Sequence, residues 1–343
     1  MLLTSSQSLT AAYDLAMLDL DGVVYIGSEA VPGAAAAIAV ARQAGMRVAF
    51  ITNNASRSPR VVADHLVELG VEADAGDVVT SAQAASRLAR EQWGEGARVV
   101  GLGAEGLRSS LVEAGLEPVG AYDDAVGVVT GYGPDVAWKE VMRVAVRVRD
   151  GLPWIASNTD QTIPTAFGTA PGHGVLVDML SRFTGVTPVV AGKPARPLLD
   201  ETVRRVGGER PLMVGDRLDT DIEGARNAGL DSLLVLTGVT GLAELVAAPP
   251  ALRPSYLAGD LAGLDRAHPA PEPDGRDWGL GGWRARVVDG RLEVEALDGG
   301  SAEQDPDDAW RVAAAAAWQH LDDTGAVVDI TAAGLPAPTS AAR

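Results

Sequence analysis

Apolar residues fall along this chain in short runs separated by stretches of helical period. Residues 15–24, "LAMLDLDGVV", form an almost unbroken apolar run interrupted by two aspartates, and "MRVAFITNN" follows after an alanine-rich helix expected over 33–44. Runs of this kind, apolar on both faces and spaced by helices, are the mark of strands buried in a parallel sheet. Pro59, with Ser56 or Ser58 available as a cap, marks the start of the next helix. A second alternating set runs from about 81 to 189. Its helices are "SAQAASRLAREQW", a stretch ending at Leu116, "WKEVMRVAVRVRDG" and "GVLVDMLSRFTG"; its strands are "ARVVGLG", "AVGVVTGYG" and "PWIASNTD". The first rhythm then resumes with a helix over 197–206, strand "PLMVGD", helix "IEGARNAG" and strand "DSLLVLTG". This order predicts an α/β fold, a doubly wound parallel-sheet core interrupted by an inserted α/β domain.

The expected division is a core over 1–80 and 190–265, the insertion over 81–189, and a linker over 266–278 rich in proline and charge. A small α+β domain is expected over 279–343, with a hairpin turning at Asp289-Gly290, the helix "DPDDAWRVAAAAAWQHLDD" and the stretch "AVVDI". At 343 residues the chain is long enough for each part to bury a core. The 40 glycines show no fixed period, and no internal repeat is visible.

The formal net charge of -18 excludes nucleic acid and anionic membranes as partners, because neutralising them takes a basic face. A small anionic substrate remains compatible if the site carries local positive charge. From Pro269 onward 14 acidic residues face 6 basic ones, so the tail holds a disproportionate share of the charge. Cysteine is absent, which removes thiolate metal sites and cysteine nucleophiles. No Lys or Arg precedes Asp14, so no signal peptide is expected, and the apolar run over 30–41 contains Pro32 and is too short to span a bilayer. A soluble, cytoplasmic protein is the expectation.

Two carboxylates inside an apolar run are unfavourable unless something ionic meets them. Strand period two puts Asp19 and Asp21 on one side, and Gly22 lets the chain turn away at the strand's carboxyl end, where open α/β sheets bind ligands. One carboxylate can attack phosphorus while the other moves protons; a capping or salt-bridged pair is the alternative. Strand "VAFIT" ends in Thr52-Asn53-Asn54, small polar groups that can cradle a phosphoryl oxygen or shape a turn. Lys193 is one of only two lysines among 28 basic residues, which favours a compact point charge over a surface accident. The segment "GDRLDTD" adds Asp216, Asp219 and Asp221, and so many acids call for a hard cation bound by oxygens, with Mg²⁺ the best fit. Asp221 can equally be a helix-start acid.

In this order "LDLDG", "ITNN", "GKP" and "GDRLDTD" resemble the motifs of the haloacid dehalogenase superfamily, specifically its phosphatases with a large α/β cap between the second and third motifs. The resemblance covers roughly residues 14–262. It implies that Asp19 is the nucleophile that becomes phosphoaspartyl, and that Asp21 protonates the leaving alcohol and then activates water. It further implies that Thr52 and Asn53, with Asn54 nearby, hold the phosphoryl group while Lys193 neutralises its charge. Asp216, the Asp19 carboxylate and the Asp21 carbonyl would ligate Mg²⁺, with Asp221 behind them and Asp219 the least defined. Related dehalogenases lack an acid two residues after the nucleophile and ion-pumping ATPases place Thr there, so Asp21 points to phosphate monoesters.

The inserted cap is expected to set specificity through the turns "GYGPD" and "SNTDQTIPTAFGTAPGHG", with Asn158, Asp160 and His173 as candidates to meet the leaving group; each is equally a turn residue. The resemblance is strongest to the branch of phosphoglycolate, pyridoxal phosphate, nitrophenyl phosphate and glycerol 3-phosphate phosphatases, and the tail favours glycerol 3-phosphate, then phosphoglycolate. The tail itself resembles a remnant of an acetyltransferase-like fold without the pyrophosphate-binding loop, so packing or homo-oligomerisation is its expected role. The competing class is a non-catalytic regulator on the same scaffold, for which the complete set of acids, threonine and lysine has no use.

Overall fold

The computed structural model describes residues 1–165, 167–297 and 304–338. It forms two compact units, Met1–Val48 with Gly208–Arg343, and Ala49–Gly207. The strand Arg47–Thr52 runs across their boundary.

In the first unit Leu15–Asp19 pairs in parallel with Pro211–Gly215, that strand with Asp231–Val235, and this with Tyr256–Ala258. The register sets Leu18 opposite Val214, and Val214 opposite Leu233. Leu15, Ala16, Met17 and Leu18 are all fully buried, which is why the run shows no alternation: both faces of the strand are covered. The expected helix after it is Ala34–Gln43, with Gly33 and Ala44 at its ends.

In the second unit Phe50–Thr52 pairs in parallel with Val78–Thr80, and Ser58, not Ser56, caps the helix Pro59–Glu68 by accepting from the Val61 N–H at 3.4 Å. Thr80 and Gln83 cap the helix Ser81–Trp93 reciprocally, each side chain bonding the other's main-chain N–H. A five-stranded parallel sheet follows, in the order Val189–Val190, Trp154–Ala156, Gly127–Thr130, Arg98–Leu102, Glu117–Val119. The helices Trp138–Arg149 and His173–Thr184 close a core on it through Val144, Val148, Val177 and Leu180. An antiparallel hairpin, Thr162–Thr165 with Gly168–Pro171, was not expected from the sequence.

The tail departs from expectation in extent. Four antiparallel strands, not two, run in the order Glu272–Asp274, Asp277–Leu280, Trp283–Val288, Arg291–Ala296. The first two begin inside the segment read as a linker, and Ala267–His268 pairs with Ser5–Ser8. Pro273 is tolerated because its strand lies at the sheet edge, where a missing N–H breaks no ladder bond. The expected turn is present: Asp289 and Gly290 both take positive φ, 49° and 77°, as a two-residue hairpin of this twist requires. Residues 298–303 and 339–343 of the expected tail domain lie outside the described residues.

The helix Pro306–Thr324 is buried on two sides. Val312, Ala313, Ala316 and Ala317 pack on Ala285, Leu292 and Val294 of the tail sheet. Trp310, Ala314 and Trp318 pack instead on Leu218, Ile222, Leu234, Leu245 and Leu257. A helix covered this widely reads as apolar nearly all round, and its alanines let both neighbours come close. No helix among the described residues is long and apolar enough to cross a membrane.

Candidate active site

Asp19 closes its strand, half-buried, and Asp21 stands exposed two residues on, with buried Leu20 between them pointing the other way. The chain then turns sharply: the Leu20 carbonyl accepts from the N–H groups of Val24 (2.9 Å) and Tyr25 (3.1 Å), and the Gly22 N–H donates to the Tyr25 carbonyl at 2.8 Å. Gly22 sits at φ 82°, where a side chain would be strained and would meet the Asp216 carboxylate.

Asp19, Asp216 and Asp221 each offer a carboxylate oxygen, and the three oxygens lie within 4.8 Å of one another. Asp216 and Asp221 are buried. Three carboxylates so close repel unless a cation lies among them, and a donor set of oxygens alone, with no imidazole or thiolate, suits a hard divalent ion such as Mg²⁺. Asp221, expected behind the metal, thus comes within the same group as Asp19 and Asp216. Its Oδ2 accepts from the N–H groups of Asp216 and Arg217, both at 3.1 Å, which fixes its direction. Asp219 points elsewhere: it is exposed and takes a two-pronged bond from Arg217 at 3.0 and 2.8 Å.

The segment 237–240 holds this arrangement, and the sequence reading passed over it. Val239 N–H donates to Asp216 Oδ2 at 2.7 Å, Thr240 N–H to the Asp216 carbonyl at 3.1 Å, and the Thr237 hydroxyl to the Gly22 carbonyl at 2.6 Å. A Cβ on Gly238 would lie 2.5 Å from Asp216 Cγ, so only glycine leaves room for the carboxylate. The signal was available: "VLTGVTG" follows a strand's carboxyl end, the edge at which such sheets place their chemistry.

In the second unit Thr52 ends its strand, buried. Its hydroxyl oxygen accepts from the Asn54 N–H at 3.0 Å, which leaves the hydroxyl hydrogen to be donated. Asn54 Oδ1 accepts from both the N–H and the hydroxyl of Ser56, at 2.8 and 2.7 Å, and so shapes the turn. Asn53 spends its side chain on protein. Nδ2 donates to Asp160 Oδ1 and to the Lys193 carbonyl, both at 2.9 Å, and Oδ1 accepts from the Lys193 N–H at 2.8 Å. Lys193 itself is only 2% exposed.

Asn158 and His173 are bonded within the same neighbourhood. Asn158 Nδ2 donates to the Asn53 carbonyl at 2.7 Å, and its Oδ1 accepts from the Asp160 N–H at 3.1 Å. His173 Nδ1 donates to the Asn158 carbonyl at 2.8 Å, leaving Nε2 buried without a hydrogen-bond partner among the described residues. Burial drives the His173 pKa down to about 4, so the ring is neutral. The unit therefore brings Thr52, Asn53, Asn54, Asn158, Asp160, His173 and Lys193 into one bonded region.

Comparison with known proteins gives this chemistry a family. Residues 16–117 match the haloacid dehalogenase-like hydrolase model, and residues 190–264 a second, HAD-hydrolase-like model. The chain is 42% identical over 293 residues to the D-glycerol 3-phosphate phosphatase of Mycobacterium tuberculosis, covering 84% of this chain and 80% of that one. It is 37% identical over 226 residues to a 5'-nucleotidase of Bacillus subtilis, covering 65% of this chain and 87% of the relative. Among solved structures, a glycerol phosphate phosphatase of M. tuberculosis in complex with magnesium superposes with a TM-score of 0.81 at 40% identity, covering 91% of this chain and 92% of that one. A 4-nitrophenylphosphatase of Thermotoga maritima gives a TM-score of 0.70 at 27% identity, covering 75% and 98%. The chain belongs to the haloacid dehalogenase-like hydrolases.

Proposed function

We propose that this enzyme hydrolyses small phosphate monoesters with the help of Mg²⁺, glycerol 3-phosphate first among them. The observation that carries the reading is the group of three carboxylates, Asp19, Asp216 and Asp221, converging within 4.8 Å, the first two at the carboxyl ends of parallel strands and the third in the helical turn that follows. Asp19 and Asp216, with the Asp21 carbonyl, would hold Mg²⁺, and Asp221 orients them. When bound there the ion supplies positive charge for the phosphoryl oxygens and lowers the repulsion an anionic substrate would meet. Asp19 then attacks phosphorus through its carboxylate oxygen, and the bond to the leaving alcohol breaks. Asp21, exposed two residues beyond Asp19, gives that alcohol a proton and later takes one from the water that cleaves the phosphoaspartyl group. The Thr52 hydroxyl and the Asn53 main-chain N–H hold phosphoryl oxygens, and the Lys193 ammonium balances their charge.

Residues 81–189 act as the cap that covers the substrate and sets specificity. Glycerol 3-phosphate is favoured because the M. tuberculosis phosphatase matches along most of the chain, whereas the shorter phosphatases match along two thirds to three quarters. Phosphoglycolate, nitrophenyl phosphate and pyridoxal phosphate are the alternatives. A cytoplasmic setting, with a small phosphorylated metabolite as partner and neither nucleic acid nor membrane, completes the reading. Phosphate release from a panel of esters tests it, with glycerol 3-phosphate and phosphoglycolate side by side. Asp19→Asn should abolish Mg²⁺-dependent turnover on all of them; undiminished turnover in that variant would remove Asp19 as nucleophile. A clear preference for a nucleotide would overturn the substrate and leave the mechanism.

A further inference from the structure

An asparagine amide offers two donors and one acceptor oxygen, and Asn53 spends all of them. Its oxygen accepts from the Lys193 N–H while its nitrogen donates to the Lys193 carbonyl, so one side chain grips both main-chain groups of a single residue. The remaining Nδ2 hydrogen goes to Asp160 Oδ1 at 2.9 Å. Asp160 is in turn fixed by Asn158, whose Oδ1 accepts the Asp160 N–H and whose Nδ2 returns to the Asn53 carbonyl. The path Asn53, Asp160, Asn158, Asn53 is closed. Gly174 and Gly172 hold it from behind, their N–H groups donating to the carbonyls of Asp160 and Gln161 at 2.8 Å. Gly192 fits only without a side chain, since a Cβ there would lie 2.6 Å from both Asn53 Oδ1 and the Ser157 carbonyl.

We infer that Asn53 and Asp160 are positioning residues: together they clamp the main chain of Lys193 and so fix where its ammonium is presented, tying the 157–161 loop to the lysine. The ammonium sits on four rotatable bonds, and holding both sides of its Cα removes the freedom that matters most at their origin. A bond from amide to carboxylate is charge-assisted, so the acid strengthens the grip. The clamp rests on the reading of Lys193 as the cation that balances the phosphoryl group. It also gives Asp160 a different task from contact with the leaving group, and the two tasks separate experimentally. A clamp acts on the phosphoryl step common to every ester, whereas a leaving-group contact acts on one ester and not another.

The test uses the full chain with Mg²⁺, glycerol 3-phosphate and 4-nitrophenyl phosphate, and the variants Asn53→Ala, Asp160→Ala and Asp160→Asn. Loss of supporting hydrogen bonds predicts that Asn53→Ala lowers kcat about 100-fold and Asp160→Ala about 10-fold, by the same factor on both esters and with KM changed less than about 3-fold. Asp160→Asn keeps the acceptor oxygen and should recover kcat to within about 2-fold of the parent. A second measurement needs no turnover: hydrogen exchange at the Lys193 amide should quicken at least about 10-fold in Asn53→Ala and Asp160→Ala, and stay unchanged in Asp160→Asn. An Asp160→Ala effect confined to the KM of one ester, or Lys193 exchange unchanged in Asp160→Ala, would overturn the clamp. A parent chain that hydrolyses neither ester would defeat the phosphatase reading, while the exchange measurement would still decide the clamp.

Discussion

Gly238→Ala adds one methyl group and changes no charge, yet it should cripple metal binding. The new Cβ would lie 2.5 Å from Asp216 Cγ and closer still to Oδ2, so the carboxylate has to move. Gly238 does not use a left-handed backbone, so the alanine strains space rather than dihedrals. Moving the carboxylate breaks its 2.7 Å bond from the Val239 N–H, a charge-assisted bond worth roughly 1.5–3 kcal/mol. Turning a side chain off its rotamer adds about 0.5–1.5 kcal/mol. Gly238 and Val239 are exposed and their loop can yield in part, so the low end applies: about 2 kcal/mol, or roughly 30-fold weaker Mg²⁺ binding. Isothermal titration of the full chain with Mg²⁺ measures it directly, with circular dichroism to show that the fold is retained. A folded variant whose Kd stays within about 2-fold of the parent would refute the reasoning, either because Asp216 is no ligand or because the loop does not hold it.

Three further outcomes are expected. Trp318→Ala should lower stability by about 3–5 kcal/mol, because the ring is fully buried and its Nε1 donates to the Leu245 carbonyl at 2.7 Å; a urea midpoint corresponding to less than about 1 kcal/mol would contradict the packing. His268 donates through Nε2 to the Gly263 carbonyl and accepts from Arg311 through Nδ1, so the fold needs the neutral ring, and burial lowers its pKa from 6.5 to about 4. The unfolded chain binds that proton first, so this stabilisation is complete above about pH 6.5 and is lost as pH falls towards 4, by up to about 3 kcal/mol. Urea midpoints across that window should fall less steeply in His268→Gln, and equal slopes would exclude the residue. Lys193→Arg should reduce kcat at least about 100-fold, since a planar fork replaces a compact ammonium in a buried place; turnover within about 5-fold of the parent would show that any cation suffices.

The parallel strands were legible because burial on both faces writes an unbroken apolar run, and the acids were legible because they break such runs. Asp19 and Asp216 each stand where a run ends, at the edge where open α/β sheets bind ligands. Less visible was how side chains divide their atoms. "ITNN" suggests three polar donors, but Thr52 and Asn54 bond each other while Asn53 faces Lys193, 140 residues away, and local sequence carries no trace of that partner. The edge strand of the tail was hidden by proline, which reads as a linker unless one knows that the strand has a free side. Thr237 to Thr240 passed unnoticed because hydroxyls and glycines after a strand look like any turn.

The Pro306–Thr324 helix has a consequence for shorter members of the family. It covers Leu218, Ile222, Leu234, Leu245 and Leu257, so a chain cut off before it would bare a greasy face directly behind the loop that carries Asp216 and Asp221. Such a truncation should aggregate rather than simply lose its appendage. The Bacillus 5'-nucleotidase matches this chain over 226 residues that make up 87% of its own length, which leaves little length for a comparable tail. Relatives of that size are expected to carry polar side chains where this chain has Leu245 and Leu257, so that the presence or absence of the tail can be read from two positions far outside it.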